Sequence, residues 1–120
     1  YKERGDFMKQ IKKISVDELK DMAKRMYDPI VKAVVDIKNG HVVVDAEMHV
    51  DEEQYLLESG SSQRDLWGIN LYPHEFGTDK FIEFDSMINI RPGQNNSSRS
   101  VLDEDIRRQI ETIVAGAVHE

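Results

Sequence analysis

The sequence predicts a single α+β domain in which an antiparallel sheet of four to six strands packs against three helices. Three observations predict it: a hairpin signal at Asn39-Gly40, further alternation of apolar and polar residues at 67–71 and 80–91, and helical periodicity near both ends of the chain. The expected order of elements is β-α-β-β-α-β-β-(β)-α. Strands joined by turns favour antiparallel pairing, with the helices mainly on one face of the sheet.

Composition limits the classes of partner. The chain has 120 residues, of which 39% are hydrophobic and 32% charged, and its formal net charge is -7. Binding to nucleic acid usually depends on a basic surface, which an acidic chain supplies poorly, so nucleic acid is an unexpected partner. The absence of cysteine excludes disulfides and thiolate zinc sites.

The sequence predicts no contact with a membrane. No apolar run reaches the roughly 18 to 20 residues of a membrane span. The sequence also lacks the apolar region of a secretory signal, so we expect a cytoplasmic location.

Residues 1–7 are polar and without periodicity, and Met8 follows them. Codons for residues 2–5 can spell a purine-rich ribosome-binding sequence just upstream of an ATG. We therefore expect residues 1–7 to be a translated leader, with an expression tag as the alternative. The single globular domain is expected to span residues 8–120.

The first elements are a short strand at 10–14 and a helix that begins at Ser15. Ser15 and Glu18 have the spacing of a capping box, in which each side chain bonds the other residue's backbone. Asp28-Pro29 ends this helix, because the residue before a proline disfavours the α region. Its apolar side consists of Val16, Leu19, Met22, Ala23 and Met26.

The hairpin is the most strongly specified element. Asn39-Gly40 predicts a two-residue type I′ turn, which pairs Ile37 with Val42 and Val35 with Val44. One face of the hairpin is then aliphatic: Val31, Ala33, Val35, Ile37, Val42, Val44, Ala46 and Met48. The other face is mixed: Lys32, Val34, Asp36, Lys38, His41, Val43, Asp45 and Glu47.

A second helix is predicted from Asp51, which supplies its N-cap, to Glu58. Gly60 follows where a left-handed C-terminal cap is expected. The apolar side of this helix consists of Tyr55, Leu56 and Val50.

Two strand regions and a last helix complete the chain. Residues 67–71 alternate in polarity, with Trp67 in the core. Alternation over 80–91 indicates either one long strand or two strands separated by a bend near Ser86. Apolar residues at helical spacing then predict a helix whose N-cap is Asp103 or Ser100.

Three segments carry a resemblance: DLWGINLYP at 65–73, DSMINIRP at 85–92 and NSSR at 96–99. Together they resemble a family of small, uncharacterised bacterial and archaeal proteins catalogued only as a domain of unknown function. The similarity covers roughly residues 8–118, and the combined motifs are specific. It implies a domain that stands alone, and it carries no activity or residue role with it.

One candidate ligand site is the polar side of the later strands with the Asn/Ser-rich loop beside it. Arg91 and Arg99 could bracket an anion, since the loop leads into a helix N-terminus whose free N–H groups favour negative charge. The candidate ligand-binding residues are Arg91, Asn96, Ser98, Arg99, Asn70 and Tyr72. The alternative is that Asn96 and Ser98 only satisfy turns and caps.

Glu83 and Asp85 are the candidate catalytic residues, because close carboxylates can raise one pKa into the range of a general acid. The alternative is a solvated sheet face. His49 and Asp51, with Glu52 and His74, are the candidate metal ligands. Chance supplies that spacing freely, and the chain carries none of the familiar metal or nucleotide motifs, so we predict no metal and no other cofactor.

Two classes of function remain open. The first is an interaction or regulatory module, as a monomer or a homodimer, that binds a protein partner. Its support is the apolar residues on nominally polar faces, which either form an interface or lie under a second helix layer: Val34, Val43, Phe81 and Met87. The second is a small-molecule binder or enzyme acting on a phosphate- or carboxylate-bearing ligand near Arg91, Asn96 and Arg99.

Overall fold

The computed structural model describes residues 8–120, so residues 1–7, where a leader or tag is predicted, lie outside the described residues. The strands are β1 (Lys9–Ile11), β2 (Ile14–Ser15), β3 (Val31–Asp36), β4 (His41–Val44), β5 (Leu66–Leu71), β6 (Ile82–Glu83) and β7 (Val118–His119). The helices are α1 (Val16–Arg25), α2 (His49–Glu58) and α3 (Glu104–Ala117).

The main sheet has five antiparallel strands in the order β1-β4-β3-β5-β6, and β2 and β7 form a separate parallel pair. The predicted α+β class, the three helices and the predominantly antiparallel sheet are therefore confirmed for the described part of the chain. The single strand predicted at 10–14 is wrong, because the chain divides there into β1 and β2, which belong to different sheets.

Helices cover both faces of the main sheet: α1 and α3 lie on one face, in agreement with the expectation that the helices lie mainly on one, and α2 covers the other. On the first face, α1 and α3 pack on the larger core, which contains Val35 and Trp67. On the second face, Leu56 of α2 packs with Val34 and Val43. The apolar residues on the supposedly polar side of the hairpin therefore lie beneath a second helix layer.

The β3–β4 hairpin has the predicted faces but a different register. Val35 pairs with Val42 and Ala33 with Val44, so the predicted pairing of Val35 with Val44 is wrong. A four-residue loop at 37–40 replaces the expected two-residue turn. Because the register shift is an even number of residues, each paired side chain stays on its predicted face.

Asp36 explains the longer loop. Its carboxylate accepts hydrogen bonds from the backbone N–H groups of Lys38 (3.0 Å) and Asn39 (3.1 Å) and from the side chain of Asn39 (2.8 Å). Gly40 has φ +73°, and Asn39 has a negative φ, so the two positive angles of a type I′ turn are not both present.

The strand or strands predicted over 80–91 are also wrong beyond the two residues of β6. The chain leaves the sheet, and the backbone N–H of Ser86 donates to the carbonyl of Arg99 at 3.0 Å. The side-chain amide of Asn89 then bonds β5: it accepts from the N–H of Gly68 at 2.8 Å and donates to its carbonyl at 3.0 Å. One side chain thus replaces the strand that alternation predicts.

The capping predictions for α1 and α3 are confirmed. Ser15 and Glu18 form the capping box at the start of α1. Asp103, rather than Ser100, caps α3, and its carboxylate accepts hydrogen bonds from two backbone amides of the first turn. These local signals act within a few residues, and for that reason they can be predicted from sequence.

Helix α2 differs from its prediction at the start. It begins at His49, with Met48 at the N-cap position, so Asp51 lies in the first turn and is not the cap. Val50 is 48% exposed and does not belong to the apolar side. Gly60 follows the helix with φ +106°, as predicted for a left-handed cap.

None of the helices within residues 8–120 combines the length and the apolar character needed to span a bilayer.

Candidate functional site

A row of polar side chains crosses the second face of the sheet. Lys32 of β3 pairs with Asn70 of β5, and Asn70 pairs with Glu83 of β6. Extending the β3–β4 register by one step places Asp45 beside Lys32, and both residues line one small cavity. A band of charged and amide groups therefore extends across this face from the end of β4 to β6.

Five side chains meet where this row reaches β6, and we call them the edge cluster: Asn70, Tyr72, Glu83, Asp85 and Arg99. The side-chain amide of Asn70 and the hydroxyl of Tyr72 both donate to Oε1 of Glu83, at 2.9 and 3.0 Å. Nε of Arg99 donates to Oδ1 of Asp85 at 2.5 Å. The Asn70 amide also lies 3.4 Å from the Asp85 carbonyl, which connects the two pairs.

The backbone around Arg99 fixes the position from which its side chain extends. Its carbonyl accepts hydrogen bonds from the backbone N–H of Ser86 (3.0 Å) and from the Asn89 amide (2.9 Å). This arrangement needs a glycine at 68, because a Cβ there would lie 2.5 Å from Cβ of Ser86 and 3.2 Å from the His49 ring. Gly68 thus lets Ser86, whose N–H donates to the Arg99 carbonyl, and His49 of α2 approach the sheet.

Two groups in the edge cluster have shifted pKa values. Burial, together with the hydrogen bond and the negative charge of Glu83, raises the pKa of the Tyr72 hydroxyl. The hydrogen bond and charge of Asp85 raise the pKa of Arg99. Tyr72 is therefore a proton donor and Arg99 a cation at neutral pH.

An open cleft of about 380 Å³ adjoins the edge cluster. Its lining consists of Tyr72, Glu75, Lys80, Ile82 and Glu83. A volume of this size suits a small molecule, and the lining combines an apolar wall with charged and hydroxyl groups.

Arg91, a candidate for binding an anion, binds the protein's own backbone. Its guanidinium donates to three carbonyls, those of Ile88 (2.9 Å), Gln63 (2.7 Å) and Leu66. The guanidinium carbon also lies 4.5 Å from the centre of a ring of Trp67, in cation–π contact. Burial lowers the pKa of Arg91. These contacts fix the side chain between the start of β5, the turn that precedes it and the segment that follows β6.

Asn96 and Ser98 organise the loop that precedes α3. The buried amide of Asn96 donates to the carbonyls of Asn89 (2.8 Å), Ser98 (3.1 Å) and Ser100 (2.8 Å). The Ser98 hydroxyl accepts from the N–H of Ser100 at 3.0 Å. The structure thus brings five of the predicted site residues into the edge cluster, whereas Arg91, Asn96 and Ser98 make loop contacts and their ligand binding stays a prediction.

The candidate metal ligands lie in separate environments. Nε2 of His49 donates to the carbonyl of Ile69 at 2.7 Å, and burial lowers the pKa of this histidine, so it is neutral at pH 7. Asp51 lies in the first turn of α2, and His74 is exposed in the turn after β5. Across residues 8–120, no three His, Asp or Glu side chains form a group that could hold a metal ion.

Glu52 is a buried acid whose role the sequence did not reveal. It is 0% exposed, and Ala46 N–H donates to its Oε2 at 3.3 Å. Its Oε1 has no hydrogen-bond partner among the described residues, and neither have Oδ1 of Asp45 and Oδ1 of Asn70, all three of which are buried. Lys32 neighbours Asn70 in the sheet and acts electrostatically on Glu52. Buried acceptors therefore lie near this lysine.

A sequence signal for this arrangement does exist. The buried positions of α2 recur at helical spacing and are mostly polar: His49, Glu52, Glu53 and Leu56. Periodicity analysis that counts only apolar residues overlooks them.

Comparison with known proteins gives a family but no activity. No curated protein and no solved structure matches the chain. The sequence model of one family, described as "Protein of unknown function (DUF5674)", matches residues 9–117. That match spans every helix of the fold and all of the edge cluster, in agreement with the resemblance found in the motifs. The chain therefore belongs to the DUF5674 family.

Proposed function

We propose that the chain is a small-molecule-binding domain that takes an acidic ligand, bearing phosphate or carboxylate, at the edge cluster. The observation that supports this proposal is a hydrogen-bonded set of charged and hydroxyl side chains, two of which, Tyr72 and Glu83, line a cleft. The side chain of Arg99 is 53% exposed. Nε binds Asp85, and the two Nη groups have no hydrogen-bond acceptor in residues 8–120, so they are available to an oxyanion.

The proposed site lies beside the one that the sequence favours. Of the two arginines predicted to bracket the ligand, Arg99 belongs to the edge cluster, while Arg91 and the candidate ligand-binding residue Asn96 hold the loop in place. Their contribution is thus to position the segment that presents Arg99. Loops on a rigid scaffold commonly carry function in this way.

The same cluster supports acid–base chemistry as part of the proposal. Asn70 and Tyr72 fix Glu83 through a single carboxylate oxygen. A carboxylate held in one orientation at a cleft can accept a proton from a bound hydroxyl or amine, provided that the substrate lies within hydrogen-bond reach. Glu83 is therefore the residue that we propose as the base.

Ligand titration followed by NMR tests the proposal. Adding inorganic phosphate or acetate at millimolar concentration to the ¹⁵N-labelled chain is expected to shift amide signals of residues 70–72, 83–86 and 98–100. The variant Arg99→Gln is expected to lose the response, whereas Arg108→Gln, which removes an exposed charge on α3, is expected to keep it. Absence of any localised shift in the wild-type protein with phosphate, with acetate and with glycine, an acid that also carries an amine, would refute an acidic-ligand site here.

A protein-interaction module, monomeric or homodimeric, is the second proposal. Three exposed apolar residues between 87 and 102 support it, since exposed apolar surface is typical of interfaces: Met87 (65% exposed), Ile90 (40%) and Leu102 (53%). Val34, Val43 and Phe81, which supported it in the sequence, are buried. Light scattering tests the homodimer, for which a monomeric mass at high concentration is the contrary result. A cytoplasmic location is proposed with either function.

A further inference from the structure

We infer that the ligand of the edge cluster is dipolar, a small molecule that carries an amine together with a phosphate or carboxylate. This inference rests on the proposed function and specifies its substrate class. It follows from the arrangement of opposite charges around the cleft and at Arg99.

The charges around the site disfavour a ligand that is only an anion. Three carboxylates, those of Glu75, Glu83 and Asp85, are set against the two cations Lys80 and Arg99. A purely anionic ligand that reaches Arg99 lies close to Asp85 and Glu83, and like charges at short distance repel. A positive group on the same ligand converts that repulsion into attraction.

Glu83 is suited to hold the amine. Both of its hydrogen bonds, from Asn70 and Tyr72, end on Oε1, so Oε2 has no donor from residues 8–120. Glu83 is exposed and lines the cleft together with Glu75. An ammonium group between these two carboxylates gains charge-assisted hydrogen bonds, and the Tyr72 ring in the same lining can add a cation–π contact.

Arg99 is suited to hold the acid. Its Nε is bound to Asp85 at 2.5 Å, which orients the guanidinium plane and leaves the Nη groups to a ligand. The charge of Glu83 also acts on Arg99, so the two binding groups are close enough to interact. Ile82, the apolar member of the cleft lining, offers a contact for the carbon chain that joins the two ends of the ligand.

The test compares dipolar probes with the separate charges that compose them. Glycine, 4-aminobutyrate and phosphoethanolamine provide three spacings between amine and acid, and ethylamine, acetate and phosphate are the matched single charges. We expect at least one dipolar probe to bind the wild-type chain about tenfold more tightly than either of its parts, as expected when a second charged contact adds about 1.4 kcal/mol. NMR titration measures each dissociation constant.

Two conservative variants locate the two ends of the ligand. Glu83→Gln keeps an oxygen that accepts hydrogen bonds from Asn70 and Tyr72. It is expected to abolish the higher affinity of the dipolar probe relative to its acid part, acetate or phosphate. Arg99→Gln is expected to abolish the higher affinity of the dipolar probe relative to ethylamine, its amine part. Glu111→Gln and Arg108→Gln remove the same charges from the exposed surface of α3 and serve as controls.

The outcomes of these titrations distinguish the dipolar ligand from the proposed acidic-ligand site. Phosphate or acetate binding as tightly as every dipolar probe overturns the dipolar ligand and leaves the proposed acidic-ligand site intact. Ethylamine binding as tightly as the dipolar probes overturns it as well. No response to any probe overturns both proposals, and equal losses in the α3 control variants show that general electrostatics, rather than this site, caused the binding.

Discussion

At the residue scale, Glu52 is the side chain most affected by its surroundings. It lies in the first turn of α2 with a single hydrogen bond, from the Ala46 N–H. Burial raises the pKa of Glu52 well above its usual range, and the Ala46 bond and the positive charge of Lys32 offset only part of that effect. A buried carboxylate with one oxygen unpaired weakens a fold at pH values where it is ionised.

Replacement of this acid by its neutral amide is therefore expected to stabilise the protein. Because the native pKa is raised, the contribution of Glu52 to stability is complete below the pKa of an unfolded glutamate and is lost as pH rises through the native value. We expect Glu52→Gln to unfold in urea with a free energy larger than wild type by about 1 to 3 kcal/mol at pH 8. The difference should shrink towards pH 4.

Glu111→Gln, on the exposed side of α3, is the matched control and should change stability little at any pH. Parallel stability curves for wild type and Glu52→Gln across that pH range would show that the native and unfolded pKa values are the same.

At the element scale, the β3–β4 loop is held by one acid. Asp36 is 0% exposed, and besides the loop amides its carboxylate accepts from the Ser61 hydroxyl at 2.6 Å. Burial by itself would raise the pKa of Asp36, but the hydrogen bonds from Ser61, from Asn39 and from the loop backbone outweigh it, and the pKa is lowered. The loop therefore depends on an ionised side chain.

Asp36→Asn is expected to destabilise the protein at neutral pH by about 2 kcal/mol, since hydrogen bonds to charged groups contribute about 1.5 to 3 kcal/mol. A lowered native pKa means that this contribution is present above the ordinary pKa of aspartate and is lost as pH falls through the native value. Urea unfolding of both proteins should therefore converge in acid. The exposed Asp21→Asn on α1 is the control, and an equal loss there would contradict the assignment.

The elements also show what the sequence can and cannot predict. Alternation placed Val35 and Val42 on the correct face, because facing depends on an even spacing that a register shift of two preserves. The register itself depends on the Asp36 contacts, which include Ser61 on a distant segment. In the same way, the polarity pattern over 80–91 does not reveal that the Asn89 amide takes the place of a strand beside Gly68.

The candidate site is also predictable only in part. The sequence predicts candidate site residues on the polar side of the later strands and in the loop beside it, and the structure brings five of them together: Asn70, Tyr72, Glu83, Asp85 and Arg99. The sequence does not predict which arginine binds the protein's own loops and which is available to a ligand. That difference depends on whether a guanidinium meets backbone carbonyls, which tertiary folding decides.

At the scale of the whole molecule, the two faces of the sheet differ in how firmly they are covered. The larger core contains 20 buried apolar residues, whereas the core beneath α2 contains four. The remaining buried positions of α2 are the polar residues His49, Glu52 and Glu53. Local opening requires less free energy where fewer apolar contacts are broken, so α2 is the layer expected to detach first.

Hydrogen exchange measures this directly. Amides in the middle of α2 are expected to exchange about tenfold or more faster than those of β3, a difference of about 1.4 kcal/mol in opening free energy. Amides in the middle of α1, which packs on the larger core, serve as the comparison within the same sample. Equal protection of α2 and β3 would show that the three layers open only together.

The amide of Asn89 has one more consequence. Beyond the two residues of β6, β5 would otherwise present free N–H and C=O groups, and unpaired strand edges recruit other chains into aggregates. Because Asn89 occupies both groups of Gly68, a neighbouring polypeptide finds no hydrogen-bonding template there. Asn89, which also bonds the Arg99 carbonyl, is therefore expected to keep this part of the β5 edge from pairing with another chain.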